Sequence, residues 1–239
     1  MEPAAMRAST PIRLKIAARG TLPFDTSVTR SPLPYCADMS HRIFVVLEDH
    51  PLVLGAITDH LTSVFPDATL AYSGAQLPAA VEAVSTSGAN CAIVDLDLGD
   101  GRTPAEVVTV LRHAAIPVVL ISANDNPLAI QAALLSGAHS YVPKRLVIDQ
   151  LRHAVEAAES DVPWKSPDFA AVLVPIEGSS VALEPAQQRA LTLYAAGLPA
   201  TVIAARIGVA TEAVGPLVDS AIAAYRYSED DEPLEASPE

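Results

Sequence analysis

A chain of 239 residues, half of them apolar, is long enough for one large domain or two small ones, yet no stretch reaches the roughly eighteen consecutive apolar residues of a membrane span. The 2 cysteines, Cys36 and Cys91, exclude a disulfide framework. A formal net charge of −13 repels polyanions such as nucleic acid unless a basic patch overcomes it, and nothing beyond the scattered Arg7, Arg13, Lys15 and Arg19 offers one.

Residues 1–40 carry Pro3, Pro11, Pro23, Pro32 and Pro34 without a sustained apolar period, and are expected to be a disordered extension. They contain no apolar segment of signal-peptide length, so a cytoplasmic protein is expected. Met39 precedes the first convincing element and is an alternative start, which would leave residues 1–38 untranslated. From there short apolar runs alternate with helical patterns. Strands are predicted at Ile43–Leu47, Ala68–Tyr72, Cys91–Val94, Pro117–Ile121 and Ser140–Val142. Helices are predicted at Leu52–Val64, Leu77–Val84, Pro104–His113, Leu128–Leu135 and Ile148–Ala158. Strand–helix pairs in this order, joined by right-handed crossovers, predict an α/β fold with a doubly wound five-stranded parallel sheet over residues 41–160. Residues 161–182 hold Pro163, Pro167, Pro175 and the single Trp164, and read as a linker with some ordered contacts. A small all-α domain is expected over 183–227, followed by an acidic tail over 228–239.

The predicted strand Cys91-Ala-Ile-Val94 stops abruptly at Asp95-Leu-Asp97-Leu-Gly99-Asp100-Gly101, and open α/β sheets place ligands at that carboxyl edge. The first strand ends in Glu48-Asp49 on the same edge. Carboxylates gathered within roughly 4–6 Å repel by several kcal/mol and call for a cation. An oxygen-only set of Glu48, Asp49, Asp95 and the backbone carbonyl of Asp97 suits Mg²⁺. Ser122 and Lys144 also sit where apolar strands end. A hydroxyl, an ammonium, a metal and a carboxylate make a phosphoryl-transfer site with Asp95 as nucleophile, forming an acyl phosphate. Taken singly, each of these residues reads as a surface lysine or a capping serine; the constellation is what carries the reading.

These residues resemble the receiver domain of two-component response regulators, particularly the NarL/LuxR-type group. Glu48-Asp49-His50-Pro51 matches that group's acidic pair followed by His-Pro, with Glu where Asp is commoner. Asp95-Leu-Asp-Leu-Gly-Asp-Gly101 matches the phosphoacceptor loop, with Gly99 where proline is usual. Ser122-Ala123 matches the switch hydroxyl and its small neighbour, and Gly137-Ala-His-Ser-Tyr141-Val-Pro-Lys144 matches the segment bearing the switch aromatic and the lysine. The resemblance implies a flavodoxin-like receiver whose Asp95 accepts phosphate from a histidine kinase, after which Ser122 moves toward the phosphoryl group and Tyr141 turns inward. The chain would be a phosphoacceptor, able to lose its own phosphate, and not an enzyme of turnover.

Other readings of the same acids fare worse. Asp95-x-Asp97 also resembles the nucleophile and general acid of haloacid-dehalogenase-type phosphatases, but that pair comes first in such chains, whereas here Glu48-Asp49 precedes it. An EF-hand loop from Asp95 to Glu106 fails at its sixth position, where Asp100 replaces the glycine of the sharp turn. A pseudo-receiver would have lost one of the acidic or basic positions, and all are filled.

Leu183 to Val209 resembles the first two helices of a LuxR-type helix-turn-helix, with Leu191, Ala195, Ile203, Ala204 and Ile207 forming an apolar stripe and Gly197 closing the first helix. Where the recognition helix should follow, Gly215, Leu217, Ser220, Ala223 and Ala224 replace the cations that reach phosphates and bases. Pro216 is expected to kink or restart that helix, since an interior proline costs about 3 kcal/mol. Between Val181 and Tyr227, Arg189, Arg206 and Arg226 are balanced by Glu184, Glu212 and Asp219. Output through a homodimer or another protein is therefore expected ahead of DNA binding, with a LuxR-type transcription factor as the alternative and a vestigial helical domain as the plainest possibility.

Overall fold

Short aliphatic runs that end in a polar residue or in glycine become the five strands of one parallel sheet: β1 (Ile43–Leu47), β2 (Thr69–Gly74), β3 (Cys91–Asp95), β4 (Val118–Ser122) and β5 (Ser140–Pro143), in the order β2-β1-β3-β4-β5. The computed structural model describes residues 41–226 apart from Asn124, Asp125, Asp161 and Pro163; the expected amino-terminal extension with Cys36 and the acidic tail lie outside the described residues. β3 and β4 are buried throughout, as expected for central parallel strands covered on both faces. The helices between them are α1 (Pro51–Val64), α2 (Leu77–Ser87), α3 (Pro104–His113), α4 (Pro127–Leu135) and α5 (Val147–Glu159).

Alternate side chains of each strand face opposite layers. Phe44, Val46, Ile93 and Ile121 pack with Ile57 and Leu61 of α1 and Leu151 and Val155 of α5. Val45, Leu47, Val94 and Leu120 pack on the other face with Leu77 of α2, Val108 and Leu111 of α3, and Ile130 and Leu134 of α4. Helix starts follow local chemistry. Pro104 stands in the first turn of α3, where the missing N–H has no partner to lose, and Thr103 with Glu106 closes a capping box. Gly88 ends α2 in the left-handed region at φ 69°.

The segment read as a linker contains a helix, α6 (Pro167–Leu173). Its prolines mark boundaries instead of breaking structure: Ser166 caps the helix by accepting the Phe169 N–H at 3.1 Å, Pro167 opens it, and Pro175 lies just beyond its end. Phe169, Ala170, Val172 and Leu173 are all buried. α6 packs against α4 and β5 on one side and α7 (Pro185–Ala195) on the other. Gln131 of α4 donates to the Val172 carbonyl at 2.8 Å, and Arg145 pairs with Asp168 at 2.6 Å.

α7, α8 (Ala200–Ile207) and α9 (Thr211–Ala223) follow, with α8 and α9 crossing at 90° across Gly208-Val209-Ala210, the geometry of a helix-turn-helix. Leu191, Ile203, Val214, Val218, Ile222 and Tyr225 fill the unit and join the apolar cluster that reaches through α6 to the sheet. Lys165 pairs with Asp219 of α9 at 2.6 Å. Among the described residues no single helix is long and apolar enough to cross a membrane.

The expected restart at Pro216 does not occur, because α9 is helical on both sides of it. Proline excludes helical geometry from the preceding residue partly through that residue's Cβ, and Gly215 has none. Glu212, whose carbonyl an N–H at position 216 would have met, is exposed like Gly215 and Pro216, so water can take that place.

Two expected outcomes follow from this packing. Phe169→Ala should cost about 3–5 kcal/mol in urea unfolding, the loss typical of a buried phenylalanine, whereas a true linker residue would cost almost nothing. Pro216→Ala should raise stability by about 1–3 kcal/mol, and Gly215→Ala should stabilise only once Pro216 has been replaced, a non-additivity that a double-mutant cycle measures.

Candidate functional site

The register of the sheet assembles the acids. Leu47 lies opposite Val94, so the next residues, Glu48 and Asp95, leave neighbouring strands side by side. Asp95 lies opposite Ile121 and Ser122 opposite Pro143, so Ser122 and Lys144 arrive one position farther along the same edge. A single 3-10 turn, Lys144–Leu146, begins directly after β5 and fixes where the lysine leaves the sheet.

Glu48 is 1% exposed and Asp95 5%, and one ammonium serves both: Lys144 Nζ is 2.7 Å from Glu48 Oε2 and 2.8 Å from Asp95 Oδ2. Burial pushes the Asp95 carboxyl above its ordinary range; the Lys144 hydrogen bond pulls it down, and the Glu48 charge adds to the upward push. Burial also opposes charge on Lys144, but hydrogen bonds to Asp95 and Glu48 outweigh it and hold the ammonium above the usual lysine value.

Asp49 turns toward the same edge. His50, the residue before α1, places Nδ1 2.6 Å from Asp49 Oδ1 and 3.3 Å from Glu48 Oε1, and its backbone N–H donates to Glu48 Oε1 at 3.0 Å. The Asp49 hydrogen bond and charge raise the His50 imidazole above its ordinary value. One ligand atom each from Glu48, Asp49, His50 and Asp95 lies within 4.8 Å of all the others. Three carboxylates face one ammonium there, so the donor set carries the surplus of negative charge that a divalent cation fits. The Asp97 side chain is occupied locally, accepting the Gly99 N–H at 3.0 Å. Gly99 has φ 66°, and a Cβ there would meet Asp49 Oδ2 at 3.1 Å. Its backbone thus lies outside the proline range, and the loop passes close over the acids.

Ser122 is buried at the end of β4, beside Asp95. Tyr141 is 0% exposed and belongs to the cluster shared with α6. The resemblance made an inward Tyr141 the outcome of phosphorylation; the ring is already inside, where α6 covers β5. The sequence-expected residues Glu48, Asp49, Asp95, Asp97, Ser122 and Lys144 therefore share one sheet edge, with Tyr141 two residues before the end of β5. His50 was read as part of a motif and not as a donor; its place directly after two acids at a strand exit was the available signal.

Residues 44–156 match the response regulator receiver domain. No curated protein matches the sequence. Among solved structures, an RcsB response regulator of Salmonella typhimurium, described for its conformational dynamism in DNA interaction, is similar at 21% identity and TM-score 0.52, over 80% of this chain and 95% of that one. An RcsB–DNA complex is similar at 20% identity and TM-score 0.52, over 80% and 94%. Two RcsB dimers bound to two parallel DNAs match at 18% identity and TM-score 0.52, over 80% and 95%. At these identities the likeness concerns the fold, a receiver followed by a helical unit. By this match residues 44–156 carry a response regulator receiver domain, which a helical unit follows as in the similar solved structures.

Proposed function

We propose that this chain is a NarL/LuxR-type response regulator in which a histidine kinase phosphorylates Asp95 and the helical unit delivers the output through protein contacts. The observation that carries the reading is the position of Lys144, whose ammonium spans Glu48 and Asp95 at 2.7 and 2.8 Å. Four elements distant in sequence bring a nucleophile, an acidic pair, a hydroxyl and a cation to one edge. Glu48, Asp49, Asp95 and the Asp97 carbonyl would hold Mg²⁺, which when bound neutralises the charge of an incoming phosphoryl group.

Lys144 engages Asp95 Oδ2, so Oδ1 is the oxygen assigned as nucleophile. Its electron pair forms the P–O bond as the P–N bond of a phosphohistidine breaks, and that bond pair returns to the departing imidazole. Ser122 and Lys144 then donate to phosphoryl oxygens. Water later returns phosphate from the acyl phosphate, so the chain is a substrate and a switch with no small-molecule turnover. The added charge of about −2 at Asp95 biases Ser122, Tyr141 and the flank from Leu128 to Ala158, which includes the α4 and β5 surfaces that carry α6. The reading places the protein in the cytoplasm beside its kinase.

The output reading rests on α9. Its residues Thr211–Ala223 include no lysine or arginine, and Glu212, Gly215, Pro216 and Ala223 lie on its exposed face. Phosphate neutralisation is the main source of non-specific DNA affinity, and this helix offers none. A homodimer or a heteromeric protein partner suits it better. The second reading, a DNA-binding regulator, is favoured by the RcsB structures with DNA, which share this order of domains.

The proposal is tested first with acetyl phosphate and Mg²⁺: wild type should gain one phosphate on an intact-mass spectrum, and Asp95→Asn none. Uptake by Asp95→Asn, or none by wild type with any donor or kinase, would overturn it. Lys144→Met should destabilise the metal-free protein by about 3–5 kcal/mol, the cost of stranding buried charge, and Mg²⁺ should recover part of this loss in urea unfolding. Mobility-shift assays with promoter fragments should show no salt-sensitive specific binding up to about 10 µM phosphorylated protein; such binding would replace the protein-contact output with the DNA reading.

A further inference from the structure

The imidazole of His50 lies against the acidic pair, and the oxygen-only ligand set assigns it no part. Its side chain is 69% exposed, so packing does not force it there. One edge of the ring nonetheless lies against the acids, with Nδ1 at 2.6 Å from Asp49 Oδ1 and 3.3 Å from Glu48 Oε1. Its position is fixed from the backbone as well, because its own N–H is bonded to Glu48 Oε1 at 3.0 Å.

Donors adjacent on an octahedral ion with bonds of about 2.1 Å stand about 3.0 Å apart, a spacing that these two contacts bracket. All of the donors, one atom each from Glu48, Asp49, His50 and Asp95, lie within 4.8 Å of one another. On the other side Lys144 already engages Glu48 Oε2 and Asp95 Oδ2. The atoms nearest the imidazole are thus the Asp49 oxygen and the Glu48 oxygen that Lys144 does not use. An ion entering on that side meets a nitrogen as well as oxygens.

We infer that His50 is a direct ligand of the divalent cation, and that it tilts the site from Mg²⁺ toward first-row transition ions such as Mn²⁺ and Co²⁺. Carboxylate, carbonyl and water ligands suit Mg²⁺, whereas an imidazole nitrogen strengthens binding along the transition series and adds little for Mg²⁺. Nothing in this requires a change of fold: Nδ1 already lies beside the acids, and on binding it releases to solvent the proton it shares with Asp49 and takes the ion in its place. The inference rests on the metal site proposed above and concerns which ions that site accepts.

The test uses the full chain at pH 8, where protons compete less with the ion for the imidazole. Pulsed EPR of the Mn²⁺-loaded protein should show nitrogen coupling from a directly bound imidazole, and His50→Ala should lose it while keeping bound Mn²⁺. Calorimetric titration with Co²⁺ and with Mg²⁺ should give a Co²⁺ preference that falls at least about tenfold in His50→Ala and in His50→Gln, with Mg²⁺ affinity nearly unchanged. Circular dichroism of both variants verifies the fold. Oxygen-only Mn²⁺ coordination, or an unchanged Co²⁺-to-Mg²⁺ ratio, would overturn the His50 assignment and leave the receiver site standing. Failure of wild type to bind any of the three ions would overturn the metal site together with this inference.

Discussion

Two buried carboxylates sharing one ammonium is the interaction around which this receiver is arranged. Removing Glu48 and Asp95 from water is costly, and Lys144 offsets the cost only by reaching both of them. That requirement fixes strand order. β1 and β3 must be neighbours for the acids to meet, and β5 must end one strand beyond β4 for the lysine to arrive from the side. The apolar segments of β3 and β4 are what hold those exits in register. The sheet is in this sense a jig for three charges.

The balance is deliberately incomplete. Asp49 adds a further negative charge, and Asp95 is left less acidic than a free aspartate because burial and Glu48 both oppose its ionisation. Such a site is unfavourable to fold and favourable to bind or modify, the trade expected where function requires charge to be exposed to a partner. The other departure from economy lies on the opposite flank. Tyr141, buried in the cluster shared with α6, and Gln131, bonded to an α6 carbonyl, join β5 and α4 to the helical unit.

Much of this was legible from residues alone because the relevant signals are local. An apolar run cut off by Asp95, a Glu-Asp pair after Leu47, and prolines in the first turns of helices each state their structure within a few positions. The features that escaped depend on distant partners or on pairs of residues read together. Pro163, Pro167 and Pro175 resemble a linker until Ser166 is recognised as a cap and Phe169 is seen to have a core to enter. Pro216 resembles a breaker until Gly215 beside it is considered. That Lys144 serves Glu48 as well as Asp95, and that the exposed His50 sets Nδ1 against Asp49, are settled by side-chain geometry that no periodicity encodes.

The single apolar cluster running from the sheet through α6 into α7, α8 and α9 changes how the molecule can come apart. Lifting the helical unit away would wet Phe169, Leu173 and their neighbours on both sides, at about 25 cal/mol for every Å² of oily surface uncovered. The receiver and the helical unit are therefore expected to melt as one cooperative block, with amide exchange in α6 tracking global opening instead of a loose hinge.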